Sequence, residues 1–461
     1  MNPPMNSISN TTRRLAAATR TAGALAVVAM LFPVSGVAAQ DLPSAAQAPE
    51  ISLVIEGSGR GLWRLAMPAP IGTGGFTPDA QAAANEIDST LRADLMASGI
   101  FAIQGPTELG VLQLTGEDAR DRELYRSLGN ELVLHTTITL AGDRITLEGV
   151  LNDLGTGEMV IGKQYSGTFD LARRIAHTLA DDIVLHFTGR RGIALTDIAF
   201  ASDRSGNREI YLMDADGVNQ RAITAHQSIS MSPDWAPQRD VITYVSWVSG
   251  RGPGLYLVDL VSGQKSELVT SGTLNISPSF SPNGDQIAFA RSIGGGNSEI
   301  FATSRDGRNL QQLTRSNGID TNPAWSPTGS KIAFTSSRSG SPQIYVMNRD
   351  GSGLERLSRT GSYNDGAAWS PDGTKVAYSS RRSGRFRIVV TDVVTRDERV
   401  LTSGAGSDES PTFSPDGRKI AFASTGPWGT QIFVVSTDGS QIQQMTKSGR
   451  NWAPSWSGYL P

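Results

Sequence analysis

The sequence predicts two domains, an N-terminal α/β domain followed by a six-bladed all-β propeller closed by pairing of its N- and C-terminal strands. Three observations lead there. The phrase Pro-x-(Trp/Phe)-Ser-Pro-x-Gly recurs at 278–284, 323–329 and 411–417, with weaker copies at 233–237, 367–373 and 454–457. Its aromatic residues, Trp235, Phe280, Trp325, Trp369, Phe413 and Trp456, are 43 to 45 residues apart. A period of that length, filled with short β-type runs and glycine turns, is the signature of a blade repeat. The ends of the repeat region are also complementary. It opens at 197–200 on a second strand with no first, and closes at 454–457 on a first strand with no second.

The chain begins with an address. Arg13, Arg14 and Arg20 precede an apolar run at 22–33, and Val37-Ala38-Ala39 places small residues before a cleavage site at Ala39. This is the pattern of a secretory signal peptide over 1–39, with an apolar core too short for a comfortable membrane span. The mature protein is therefore expected outside the cytoplasm, in the periplasm. Residues 40–49 are rich in Ala, Pro and Gln and read as a flexible extension; 51–55 alternates as a strand does. A helix is expected over 79–98, with Ile87, Leu91 and Leu95 on one face, Pro78 at its start and Gly99 at its end. A second helix is expected at 116–128, strands at 131–140, 144–153 and 159–168, and a last helix at 169–187. These elements make an α/β domain spanning 50–190.

The propeller is assigned to 195–461. Its best-formed repeat places strands at 323–325 (A), 331–334 (B), 343–347 (C) and 354–357 (D), joined by tight turns such as Arg349-Asp350-Gly351. Asp-Gly suits a hairpin because its central residues need positive φ. The six aromatics are read as wedges between blades, not as cofactor platforms.

Composition and motifs narrow the chemistry. The chain has 41 basic and 44 acidic residues, a net charge of −3, and no cysteine. There is thus no global field for nucleic acid, and no disulfide, thiol or thiolate-metal chemistry. No serine stands in a Gly-x-Ser-x-Gly elbow and no phosphate-binding loop is present. His135, His177, His186 and His226 are not spaced as a metal pair. Asp214-Ala215-Asp216-Gly217 resembles the start of a calcium loop, but Ala225 stands where the loop needs Glu, so a hairpin turn is the better reading. The segment 57–61 is glycine-rich yet too short to specify a nucleotide. No catalytic residue, cofactor or metal site is expected. A propeller enzyme of lactonase or peptidase type is the alternative, and it would need a nucleophile or metal in the channel.

Strand alternation puts the D-to-A and B-to-C loops on one mouth of the ring. The N-terminal domain joins on the other face, leaving that mouth open. The loops there (228–231, 274–277, 320–322, 364–366, 408–410 and 451–452) differ while the strands repeat. Variable loops on a rigid scaffold are where recognition sits.

Over essentially its whole mature length the chain resembles the TolB family of the Tol–Pal envelope system. The resemblance runs from the signal peptide and α/β domain through six Trp/Phe-Ser-Pro-x-Gly repeats to the closing Trp456-Ser457-Gly458-Tyr459-Leu460. It implies a non-catalytic periplasmic scaffold that maintains outer-membrane integrity and aids envelope constriction in cell division. It further implies that a Pal-like peptidoglycan-associated lipoprotein binds at the propeller mouth, at positions matching Met231, Ser277, Asp320, Thr321, Asp365, Asp408, Glu409 and Asn451. A TolA-like inner-membrane protein would take the segment carrying Glu50, Ile51, Leu53 and Ile55, by strand addition. The chain departs from the family in the extra residues 40–49 and in Leu274 and Ile276, which make one mouth loop apolar.

Overall fold

The computed structural model describes residues 38–41, 61–74, 77–110, 112, 118–250, 252–294 and 296–459. The strand expected at 51–55 and all but the last two residues of the expected signal peptide lie outside them.

The N-terminal region is a mixed sheet with helices on it. Its strands are β1 (Ala38–Asp41), β2 (Trp63–Ala66), β3 (Ile71–Thr73), β4 (Phe101–Gln104), β5 (Leu132–Ala141), β6 (Arg144–Asp153) and β7 (Met159–Thr168). The sheet order is β1-β7-β6-β5-β2-β4, with β3 also pairing β5. The meander β5-β6-β7 is antiparallel, whereas β2 runs parallel to both β4 and β5. Helices α1 (Pro78–Ala97) and α4 (Ala172–Thr188) share the apolar core of one face. Thr77 caps α1, its hydroxyl accepting from the Ala80 N–H at 3.3 Å, and Ile87, Leu91 and Leu95 are buried. Gly149 on β6 lets α4 approach, since a Cβ there would stand 2.5 Å from Leu179 Cδ2. Gly189, at φ 66°, ends α4 in the left-handed conformation that glycine adopts freely. Two further helices, α2 (Pro106–Leu109) and α3 (Asp118–Ser127), serve the other face.

Six four-stranded antiparallel sheets form the propeller. Blade 1 combines both ends of the region: Asn451–Trp456 is its strand A, Asp197–Ser205 its B, Asn207–Asp214 its C and Arg221–Ala222 its D. Trp456 pairs opposite Ile198 and Trp452 opposite Ala201. Blades 2 to 6 begin with strands A at Ser230–Trp235, Leu274–Phe280, Asp320–Trp325, Asn364–Trp369 and Ser407–Phe413.

The repeated phrase acts through its own atoms. Its serine accepts from the backbone N–H five residues on: Gln286 to Ser281 at 2.9 Å, Lys331 to Ser326 at 3.0 Å, Lys375 to Ser370 and Lys419 to Ser414 at 2.9 Å. That bond closes the A-to-B turn. A second hydroxyl clip recurs at the end of strand D, where Thr224, Thr314, Ser358, Thr402 and Thr446 accept from the N–H of Ile210, Ile300, Ile344, Ile388 and Ile432. Five of the six aromatics are buried to 8% exposure or less, and Trp369 is half-buried. Their indoles also tie blades together. Trp235 Nε1 donates to the Ser455 carbonyl at 3.0 Å, and Trp369 Nε1 to that of Ala324 at 3.2 Å.

Candidate functional site at the propeller mouth

The six A strands line a central channel of ≈ 550 Å³. Each carries a β-bulge three residues before its aromatic, where it advances three residues against two of strand B. The bulge holds one residue per blade in the left-handed region: Ser232, Ser277, Asn322, Gly366, Ser410 and Ala453, at φ between 47° and 69°. This distortion turns strand A at the mouth.

The bulge sorts the expected recognition residues into two groups. Ser230, Asn275, Asp320, Asn364, Asp408 and Asn451 occupy one equivalent position and are buried, none more than 3% exposed. Asp320 accepts from Ser336 Oγ at 2.5 Å and pairs with Arg338 at 2.7 Å. Asp408 accepts from Ser424 Oγ at 2.7 Å and pairs with Arg387 at 3.3 Å. Asn451 donates to Gln431 Oε1 at 2.8 Å. These three side chains brace the loops from beneath. Of the next residues on these strands, Asp365 and the exposed Glu409 line the opening, whereas Thr321 is half-buried and Met231 is half-buried against the cores of blades 1 to 3.

Some mouth residues are joined across blades. Ser277 Oγ donates to Asn322 Oδ1 at 2.5 Å, and Asn322 Nδ2 donates to Asp365 Oδ1 at 2.7 Å. The same oxygen of Asp365 accepts from Thr335 Oγ1 at 2.8 Å. Although its side chain reaches solvent, Glu409 is held above the usual carboxylate range, chiefly by partial desolvation of its carboxyl and then by the charge of Asp365, against a hydrogen bond from Ser407. Sequence reasoning passed over two residues here. Asn322 links Ser277 to Asp365, and its place after Thr321 in a variable loop was the available signal. Asp234 lies deeper, accepting from Phe280 N–H at 2.7 Å; its carboxyl is pushed up to about 7 by burial, against that bond and those from Ser455 and Trp235. Among the described residues no lysine or arginine lines the channel, and no group of three or more His, Asp or Glu is arranged to hold a metal ion.

The opposite face carries the N-terminal region. Arg173 on α4 pairs with Asp216 in a C-to-D turn at 2.5 Å and with Glu86 on α1 at 2.6 Å. Arg239 donates to the Leu195 carbonyl at 3.0 Å and pairs with Asp197. His177 Nδ1 lies 2.6 Å from Asp94 Oδ2, beside Arg173 in this junction. Asp214 also faces Arg173, at 3.6 Å, and Asp216 Oδ1 accepts from the Val218 N–H as a turn residue does. Of the remaining expected sites, Ala39 falls in β1, paired with Tyr165. Glu50, Ile51, Leu53 and Ile55 lie outside the described residues.

Fold and mouth together define a six-bladed propeller with an α/β region on one face and an open, loop-built mouth on the other. The family model described as the TolB beta propeller domain matches residues 184–460, and the chain belongs to that family. Among curated proteins, the Tol-Pal system protein TolB of Geobacter sulfurreducens is 38% identical over 198 residues, 42% of this chain and 45% of that protein. The protein of the same name from Geobacter metallireducens is 36% identical over 159 residues, 34% of this chain and 37% of that one. The matched stretches thus span less than half the length of these relatives. Among solved structures, TolB from Acinetobacter baumannii superposes with a TM-score of 0.76 at 26% identity, covering 87% of this chain and 98% of that one.

Proposed function

We propose that this chain is a non-catalytic periplasmic scaffold of the Tol–Pal system, acting in outer-membrane integrity and in envelope constriction at cell division. It binds a Pal-like lipoprotein at the propeller mouth and a TolA-like inner-membrane protein through the segment carrying Glu50, Ile51, Leu53 and Ile55. The observation that carries this reading is the open mouth, opposite the face occupied by the N-terminal region, in a member of the TolB propeller family. Within it Met231, Ser277, Thr321, Asp365 and Glu409 make the contacts, while Asp320, Asp408 and Asn451 hold the loops in register. The signal peptide is removed after Ala39, and no helix among the described residues is long and apolar enough to cross a membrane.

The test is direct binding of the soluble domain of the cognate Pal-like lipoprotein to mature protein, by calorimetry. Saturable 1:1 binding, weakened by Asp365→Lys with Glu409→Lys in a protein of unchanged melting temperature, is expected. No heat of binding at protein concentrations of about 100 μM would overturn the Pal assignment, since specific transient complexes fall well below that Kd. Deletion of residues 50–56 should abolish capture of the TolA-like protein while leaving the lipoprotein bound.

A further inference from the structure

Six equivalent positions on a propeller face the same architectural demand, so differences among them that the fold does not require report on what lies opposite. The residues just before the buried polar position are Ile229, Leu274, Ile319, Tyr363, Ser407 and Arg450, from blade 2 round to blade 1. Those just after it are Met231, Ile276, Thr321, Asp365, Glu409 and Trp452. Blades 2 to 4 therefore carry Ile with Met, Leu with Ile, and Ile with Thr, Met231 and Ile276 being half-buried against the blade cores beneath the rim. Blades 5, 6 and 1 present Tyr with Asp, Ser with Glu, and Arg with Trp.

The B-to-C loops add Val248 and Ile293 on blades 2 and 3, and on blade 6 the indole of Trp428, 40% exposed. Ile293 is 66% exposed, Ile319 51%, Ile229 46% and Val248 41%. Four branched aliphatic side chains open to water on one side of a rim are the composition of a contact surface, not of a solvated loop. On the other side, Asp365 takes its hydrogen bonds from neutral groups, and among the described residues no lysine or arginine lines the channel beside it and Glu409. The acidic sector ends at Trp452, over which the Arg208 guanidinium stacks at 3.9 Å.

We propose that the mouth is a polarised docking site that takes an amphipathic element of its partner in a single rotational setting. The partner's apolar side chains cover blades 2 to 4 and a lysine or arginine faces Asp365 and Glu409. This rests on the reading above for its occupant, the soluble domain of a Pal-like lipoprotein. A ring of six near-identical blades would otherwise offer six near-equal orientations. Segregating apolar from acidic positions removes five of them, because each wrong setting buries a charge against aliphatic side chains. The apolar sector supplies most of the affinity, and the acidic sector supplies orientation and salt-sensitive encounter.

The experiment compares three variants of the mature protein against the lipoprotein's soluble domain, at low and high salt. Ile229→Ser with Ile319→Ser should weaken binding by about tenfold or more and leave its salt dependence as in wild type. Asp365→Asn with Glu409→Gln should weaken binding at low salt and flatten its salt dependence. Val261→Ser with Val394→Ser, exposed by 91% and 84% on the opposite face, should change neither. Wild-type affinity in the isoleucine pair, or a wild-type salt slope in the acid pair, with melting temperatures unchanged, would overturn the polarised mouth while leaving the partner assignment standing. A wild-type protein that does not bind at all would instead remove the partner assignment, and this occupant with it.

Discussion

Asp234 occupies, one residue before the blade 2 tryptophan, a position filled elsewhere by Ser279, Ala324, Ala368, Thr412 and Ser455. Five small neutral residues and one carboxyl share the channel wall. Burial raises that carboxyl to about 7 although three hydrogen bonds favour its ionised form. An acid whose folded pKa lies above its unfolded value stabilises the fold fully below the unfolded value, near 4, and that contribution is lost as pH rises through about 7. Asp234→Asn should therefore remove a downward slope of melting temperature between pH 4 and 8, and raise stability at pH 8. A carbon-detected titration placing Asp234 below pH 5 would contradict this. The turn serines give a second prediction at the same scale. Ser326→Ala strips the Lys331 N–H of its acceptor at the start of strand B, and should cost about 1–3 kcal/mol in denaturant unfolding, because an orphaned donor loses more than a net hydrogen bond is worth. A loss under a few tenths would mean that water replaces the serine there.

At the scale of elements, each A strand is both wall and wedge. Trp325 is 8% exposed and packs in one cluster with Ala288, Ile300 and Ala302 of blade 3 and Ile332 and Phe334 of blade 4. Trp325→Ala should cost about 3–5 kcal/mol, the range for emptying a buried aromatic site, and chemical denaturation reads it. Removing residues 453–461 should do more. It takes away most of the strand paired with Asp197–Ser205 and the Trp456 indole that donates to Thr196 Oγ1 at 2.9 Å. A truncated protein with an unchanged melting temperature would show that the ring does not need that strand. Legibility in the sequence followed the same logic of local against non-local cause. Strands B and C, the meander at 132–168 and helices α1 and α4 could be read because alternation, helical spacing and turn residues mark them within a few positions. Strands β2, β3 and β4 and helix α2 could not. They are three or four residues long, and β2 is held by parallel partners at Phe101–Gln104 and Leu132–Val133, 38 residues or more away. The mouth was legible as a place but not residue by residue. Asp320 and Asp365 both stood in variable loops, and only the bulge register, which no local pattern announces, buries the first and opens the second.

The whole molecule is held together at the junction of α/β region and propeller by a charged cluster. Arg173 clasps Glu86 and Asp216, and the buried pair His177–Asp94 lies beside it. Lys419 and Asp416 of blade 6 approach from the propeller side, with Asp181 behind, accepting from the Ala194 N–H at 2.9 Å and the Leu195 N–H at 3.3 Å. Burial alone would lower His177, but the hydrogen bond and charge of Asp94, helped by Asp216, raise it. Asp94 and Asp181 are raised by burial, Asp181 to about 6. All three shifts carry the same sign. Their contribution is complete on the acid side and is lost as pH climbs, through about 6 for Asp181 and above the ordinary histidine value of about 6.5 for His177. The junction should therefore loosen as pH climbs through about 6 and past the ordinary histidine value of about 6.5. Hydrogen exchange corrected for intrinsic rate reads this directly: protection of 189–196 should fall as pH rises through that range, and more steeply than that of the B and C strands. Lys419, pulled down by burial, responds in the opposite sense, so His177→Asn supplies the discriminating measurement. In that variant the pH dependence of linker protection should shrink while Lys419 titrates as before. A linker whose protection follows pH equally in both proteins would assign the effect elsewhere, and one indifferent to pH in the wild type would leave Arg173 as the clasp that matters, to be tested by Arg173→Ala.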